Sequence, residues 1–214
     1  MDFLPSLPTL LAFTAATLLL AATPGPDMTL SISRALSQGK ASAMWVVVGT
    51  SLGCLVHTLL VAFGVSALIT ASPTAFMALK TGGAAYLFWL AVQAIRYGST
   101  LTVKKDNAPA SASPLANIST GLGVNLLNPK VIIFFMTFLP QFVTAHDPAV
   151  TQKLLFLGVF FIVAAMPINI AVILTADWLS GWLQQRKSVL RSIDYVFSGV
   201  FSIFAVKILF TQAR

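Results

Sequence analysis

The sequence predicts an all-α, polytopic membrane protein: six transmembrane helices in two inverted three-helix repeats, with helices 1 and 4 broken inside the bilayer. Three observations predict it. Charge is scarce, apolar runs of membrane length recur six times, and two of those runs carry matched proline interruptions. The 214 residues are 57% hydrophobic and 9% charged, with a mean hydropathy of +0.88, whereas a soluble domain is roughly 25% charged. So thin a polar coat cannot dress a surface for water, and lipid is the solvent that fits.

A bilayer core of about 30 Å needs about 20 apolar residues per helix. The chain supplies such stretches at 7–33, 41–70, 75–97, 116–143, 153–177 and 190–212. Short polar breaks, "SQGK", "ASPT", "TAHDP" and "QQRKS", separate most of them. The first stretch follows a leader with no Lys or Arg, unlike the basic start of a secretory signal, so it reads as a retained span. The segment 98–117, rich in Ser, Ala, Pro and charge, reads as a flexible cytoplasmic linker. It divides one membrane domain, 1–214, into a first repeat, 1–97, and a second, 118–214.

Orientation follows from the basic residues. Arg34, Lys40, Arg96, Lys104, Lys105, Arg186, Lys187 and Arg191 fall after spans 1, 3 and 5; only Lys80, Lys153 and Arg214 fall on the other side. The excess places the first group in the cytoplasm and both termini outside. A net charge of +7 therefore faces anionic headgroups rather than nucleic acid.

The interruptions carry the chemistry. "TPGPDM" in span 1 aligns with "LNPKVI" in span 4, setting Pro26 against Pro129, Gly25 against Asn128, and Asp27 against Lys130. Intact helix cannot run through Pro24, Gly25 and Pro26, and the freed backbone groups must face protein or water. Pro26 and Pro129 each suit the first position of a new half-helix, and Asn128 suits its cap. Asp27 complements a positive helix end, whereas Lys130 in a first turn opposes it and costs about 2.5 kcal/mol or more within the bilayer. Lys130 therefore waits for an anion: Asp27, a substrate carboxylate, or each in turn. A purely structural Asp27–Lys130 pair is the competing reading. Matched breaks in the two halves are the sequence mark of a transporter site near the midplane.

Other polar residues read two ways. Asn125 and Asn128 share a helical face and suit either a ligand or interhelical bonding. His57 is a candidate for proton coupling beside Asp27, or a neutral imidazole bonded to a neighbouring helix. Pro167 marks a further kink whose carbonyls, near Asn169, would line the cavity. Asp177 reads as the partner of a loop base, and Lys207 as an outward-reaching anchor. Gly49 and Gly53, with Gly82 and Gly83, offer flat faces for close packing that also permit a homodimer. Trp45, Trp89, Trp178 and Trp182 suit interfacial belts.

Enzymatic constellations are missing: the chain has no Glu, no phosphate loop and no nucleophile–base set. Two His and one Cys make no transition-metal site, so neither metal nor cofactor is expected, and Cys54 alone forms no disulfide.

The stretches "PGPDMTLSISRALSQGKASA", "LKTGGAAYLFWLAVQAIR" and "GLGVNLLNPKVIIFFMTFLPQF" resemble the lysine exporter (LysE) family, in particular its homoserine/threonine-resistance (RhtB) branch. That resemblance implies a multi-pass protein of the bacterial inner membrane that exports amino acids or their derivatives, homoserine-, threonine- or leucine-like, by proton antiport. The residues themselves point to a secondary transporter whose small-molecule cargo meets Pro24, Gly25, Pro26, Asp27, Asn125, Asn128, Pro129 and Lys130. A passive channel and a non-transporting scaffold are the alternatives.

Overall fold

The computed structural model describes residues 4–97, 112–144, 147–185 and 187–212, and every regular element among them is helical. The linker residues 98–111, with Lys104 and Lys105, lie outside the described residues, as do Arg186, Arg214 and the side chain of Lys207. Span 1 is two helices, α1 (Leu7–Ala22) and α2 (Pro26–Gln38), meeting at 52°. Span 2 is α3 (Lys40–Ala71) and span 3 is α4 (Pro73–Tyr97). Span 4 is α5 (Pro114–Leu126) followed at 57° by a second rod, Pro129–Phe142. Then come α7 (Val150–Leu174), α8 (Ala176–Gln185) and α9 (Lys187–Gln212). Three of the described helices are long and apolar enough to cross a membrane, and five spans result if each bent pair is one.

The connections are tighter than the polar breaks suggest. A single residue, Gly39, separates α2 from α3, and its φ of 88° lies in the left-handed region that favours glycine. Ser72 alone separates α3 from α4; its Oγ accepts the Ala75 N–H at 3.1 Å, and Pro73 starts the next helix. Beyond span 4, Asp147 accepts from the Lys153 amine at 2.5 Å and from the Ala149 N–H at 3.0 Å. Burial pushes the Asp147 carboxyl up, but those bonds and the Lys153 charge outweigh it and hold the group below its ordinary range.

Helix α7 is continuous through Pro167; a bilayer helix tolerates the lost bond when neighbours re-satisfy the backbone. Three expectations need correction. Arg34, counted as a loop cation, is buried at 7% exposure a turn inside the end of α2. Asp177 pairs with no base among the described residues and sits, exposed, in the first turn of α8. That short helix stacks Trp178 on Trp182, four residues apart, at 5.2 Å, where a loop was expected.

Helix α3 is the central post, packed against α2, α5 and α7. Glycines set its approach. A Cβ on Gly49 would strike the Ile118 carbonyl, and one on Gly121 of α5 would strike the Val46 carbonyl, so the two backbones touch reciprocally. Gly158 of α7 admits Thr58 in the same way, and Gly83 of α4 admits Thr137; Gly82 faces open space. Outside, Leu60, Phe63, Val163 and Ile203 are 59–70% exposed, the apolar surface that lipid covers. Trp45, Trp89 and Trp178 are exposed as well.

The rod after the second break begins as a five-residue helix, α6 (Pro129–Ile133). It widens to a π-turn at Phe134–Phe138 and tightens to a 3-10 turn at Leu139–Phe142. Its rings form the core of one end of the bundle. Phe13 of α1 lies 6.0 Å from Phe138 and 5.2 Å from Phe142, while Phe134 lies 4.7 Å from Phe138 and 5.2 Å from Phe161 of α7. Phe13, Phe134, Phe135 and Phe138 are all but fully buried.

Candidate functional site

The two breaks meet. In the first, Thr23 ends α1 with its N–H and Oγ both donating to the Leu19 carbonyl, and Gly25 caps α2 in an extended conformation without a side-chain bond. In the second, the Asn128 Oδ1 accepts the Lys130 N–H at 3.1 Å and so caps α6. The Asp27 carboxylate, in the first turn of α2, reaches across to that second break. Asn125 donates to its Oδ2 at 2.7 Å, and Asn128 donates to its Oδ1 at 3.0 Å.

Lys130 does not pair with Asp27. Its ammonium donates to the Leu20 carbonyl at 2.7 Å and to the Thr23 carbonyl at 2.5 Å, the two acceptors at the end of α1. A helix end is electronegative, so Lys130, unwelcome in the first turn of its own helix, neutralises the end of another. The Asp27 carboxylate and a second one, Asp194 of α9, both act electrostatically on it. The broken helix 1 thus has a charge of matching sign at each exposed pole, one its own and one supplied by helix 4.

Between these groups lies a cavity of about 80 Å³, room for a few waters. Gly25, Asp27, Asn125, Asn128 and Lys130 line it, together with Ser31 of α2, Thr50, Ser51 and Cys54 of α3, and Phe161, Ile162, Ala165 and Asn169 of α7. Asp27 keeps further lone pairs and Lys130 a third N–H beyond the bonds already made, so the cavity can receive a cation and an anion together. Phe161 also belongs to the aromatic core, which closes the cavity at that end.

The eight predicted site residues thus fall at one place, in unequal roles. Pro24 is buried within the first break, while Pro26 and Pro129 are exposed and start their helices; none of the three rings lines the cavity. His57, the second coupling candidate, is buried behind Asn125, its Nε2 3.4 Å from that residue's carbonyl oxygen and its ring 5.8 Å from Phe135. Sequence reasoning missed Ser51, which carries no local signal, and the Asn169 side chain. It also missed Asp194, fully buried although it lies only a turn or two into a helix with a basic start. An acid flanked by apolar residues in a chain with six acids was the available signal. Among the described residues no group of three His, Cys, Asp or Glu side chains assembles.

Comparison with known proteins identifies the family. The LysE type translocator family matches residues 18–212. The chain is 29% identical over 203 residues to the homoserine/homoserine lactone efflux protein of Salmonella typhimurium, covering 95% of this chain and 96% of that one. It is 26% identical over 200 residues to the leucine efflux protein of Klebsiella pneumoniae, covering 89% of each. It is 36% identical over 146 residues to the cysteine/O-acetylserine efflux protein of Escherichia coli, covering 67% of this chain and 71% of that one. No solved structure matches. The chain belongs to the LysE type translocator family; it is a membrane transporter and not an enzyme.

Proposed function

We propose that this translocator is a secondary-active exporter of small zwitterionic amino acids or their derivatives, running by proton antiport in a bacterial inner membrane with both termini outside. Two inverted three-helix halves would rock about the cavity where the breaks meet. The observation that carries the proposal is the placement of Asp27 and Lys130 on one cavity, apart from each other, each with bonding capacity left. A zwitterion supplies the two missing partners. Its ammonium goes to Asp27, and its carboxylate goes to the third N–H of Lys130 and the uncapped N–H groups at the start of α2.

Asp27 is then the coupling group. Ionised, it holds the ammonium; protonated, it releases it, so one proton exchanges for one cargo molecule. His57, against the Asn125 carbonyl, is one residue removed from that carboxylate and is the candidate for passing the proton on. The printed names of the relatives, efflux proteins for homoserine and its lactone, leucine, and cysteine and O-acetylserine, fall within the proposed cargo class.

The test is efflux from proteoliposomes loaded with radiolabelled homoserine, threonine or leucine under an imposed pH gradient. Gradient-dependent efflux is expected, abolished by Lys130→Gln and by Asp27→Asn, whose neutral amide, like the protonated acid, does not hold the ammonium. Efflux indifferent to collapse of the gradient would make the protein a channel, and none from any cargo would make it a scaffold.

A further inference from the structure

Helical hydroxyls in this bundle return their protons to a carbonyl one turn back. In α1, Thr14 donates to the Leu10 carbonyl and Thr23 to the Leu19 carbonyl, each at 2.7 Å. Thr17, between them, departs from the pattern. It is fully buried, at 0% exposure, and its Oγ1 has no hydrogen-bond partner among the described residues. Valine has the same shape and fills the space without burying a bare hydroxyl, so packing does not account for a threonine here.

Its place in the helix does. Leu20 and Ala21, three and four residues on, line the cavity. Phe13, four residues back, lies 5.2–6.2 Å from the rings of Phe138, Phe142 and Phe160. Residues three and four apart share a helical face, so Thr17 stands between the cavity and the aromatic core, on the face of α1 that joins them. Its neighbours on that face, Phe13, Ala16 and Leu20, belong to the apolar core. The Lys130 ammonium is anchored one turn away, on the Leu20 carbonyl.

With α1 starting outside, as the proposed function has it, the aromatic core separates the cavity from the outer face. A carboxylate leaving Lys130 for that face meets rings and methyl groups, which leave it unsolvated. We propose that these rings are the outer gate and that Thr17 is a transit site within it, its hydroxyl donating to the cargo carboxylate as Lys130 gives it up. The inference rests on the exporter reading and adds to it a residue that contacts cargo outside the cavity. The bond is made on the way out and not in the resting complex, so it acts on the rate of export rather than on affinity.

Thr17→Val removes the hydroxyl and keeps the shape. Purified and full-length in detergent, it should unfold at or above the wild-type temperature. It should also bind whichever of L-homoserine, L-threonine and L-leucine the wild type exports fastest with a dissociation constant within about twofold of wild type, read by ligand-induced thermal shift. In proteoliposomes under the pH gradient its efflux should fall about tenfold, the size of one hydrogen bond lost from the barrier alone. Thr17→Ser, which restores the donor, should export within about threefold of wild type. Wild-type efflux from Thr17→Val overturns the transit site and leaves the exporter reading standing. Three other results do the same: a lower unfolding temperature or weaker cargo binding in Thr17→Val, or a Thr17→Ser as slow as Thr17→Val. Absence of gradient-driven efflux from wild type overturns both.

Discussion

The two interrupted helices share a proline and nearly the same bend, 52° and 57°, yet they do different work. The first exposes poles. Gly25 supplies no cap, the Leu20 and Thr23 carbonyls are met by no group of their own helix, and the half-helix beyond is regular. The second supplies side chains. Asn128 caps its own half-helix, Asn125 and Asn128 hold Asp27, Lys130 covers the end of α1, and the backbone beyond runs through α, π and 3-10 turns. One break is therefore a receptor and the other its furnishing. A motif that looks duplicated by sequence is complementary in space, so each break is incomplete without the other.

Lys130→Met breaks that relation most severely. It removes two charge-assisted bonds and strands two carbonyls, a loss of about 3 kcal/mol at roughly 1.5 kcal/mol per bond. Unfolding in detergent should show that loss, and efflux should fall to background. If Lys130→Met unfolds like wild type, helix 1 does not depend on helix 4 and the comparison collapses.

Gly53→Ala attacks the furnishing from outside. Its Cβ would lie 2.8 Å from the Asn125 Cβ and Cγ, closer than carbon atoms pack, so Asn125 must leave Asp27. Overpacking of this kind costs about 1–3 kcal/mol. Gly82→Ala, with nothing within 4 Å, is the control and should be neutral or slightly stabilising through helix propensity. Equal thermal stability of the two variants would show that the α3–α5 approach does not position Asn125.

Asn128→Ser separates the two jobs of one residue. Serine caps about as well as asparagine, so α6 should survive, but its hydroxyl is too short to reach Asp27. A loss of about 1 kcal/mol with markedly weaker cargo binding is the expected outcome. Unchanged binding would make Asn128 a cap alone.

The sequence showed where the chain breaks, because Pro24, Gly25, Pro26 and Pro129 act on their own backbone and need no distant partner. It showed that Gly49, Gly53 and Gly83 serve close packing for the same local reason. It could not show where Lys130 points. The acceptors lie 107 and 110 residues away, and opposite charges at aligned positions suggested a pair that the folded chain does not form. The π-turn has no sequence sign at all; "FFMTF" reads as ordinary helix.

Gly25→Asn makes the smallest change in stability and sharpens the comparison furthest, because it gives the first break the cap that the second already has. The Gly25 backbone is extended, with φ −163° and ψ −179°, a conformation open to any residue, and a new Cβ would meet only Lys130 at ordinary contact distances of 3.5 and 3.6 Å. Replacing a glycine cap by asparagine changes helix stability by only a few tenths of a kcal/mol, so the variant should unfold much like wild type. Its amide would nonetheless occupy the start of α2 and fill the space beside Lys130 where the proposed function puts the cargo carboxylate. Efflux should therefore fall at least tenfold while the protein stays folded. If efflux persists, the open start of α2 takes no part in binding. The two breaks would then differ in structure alone, with recognition left to the side chains of the second.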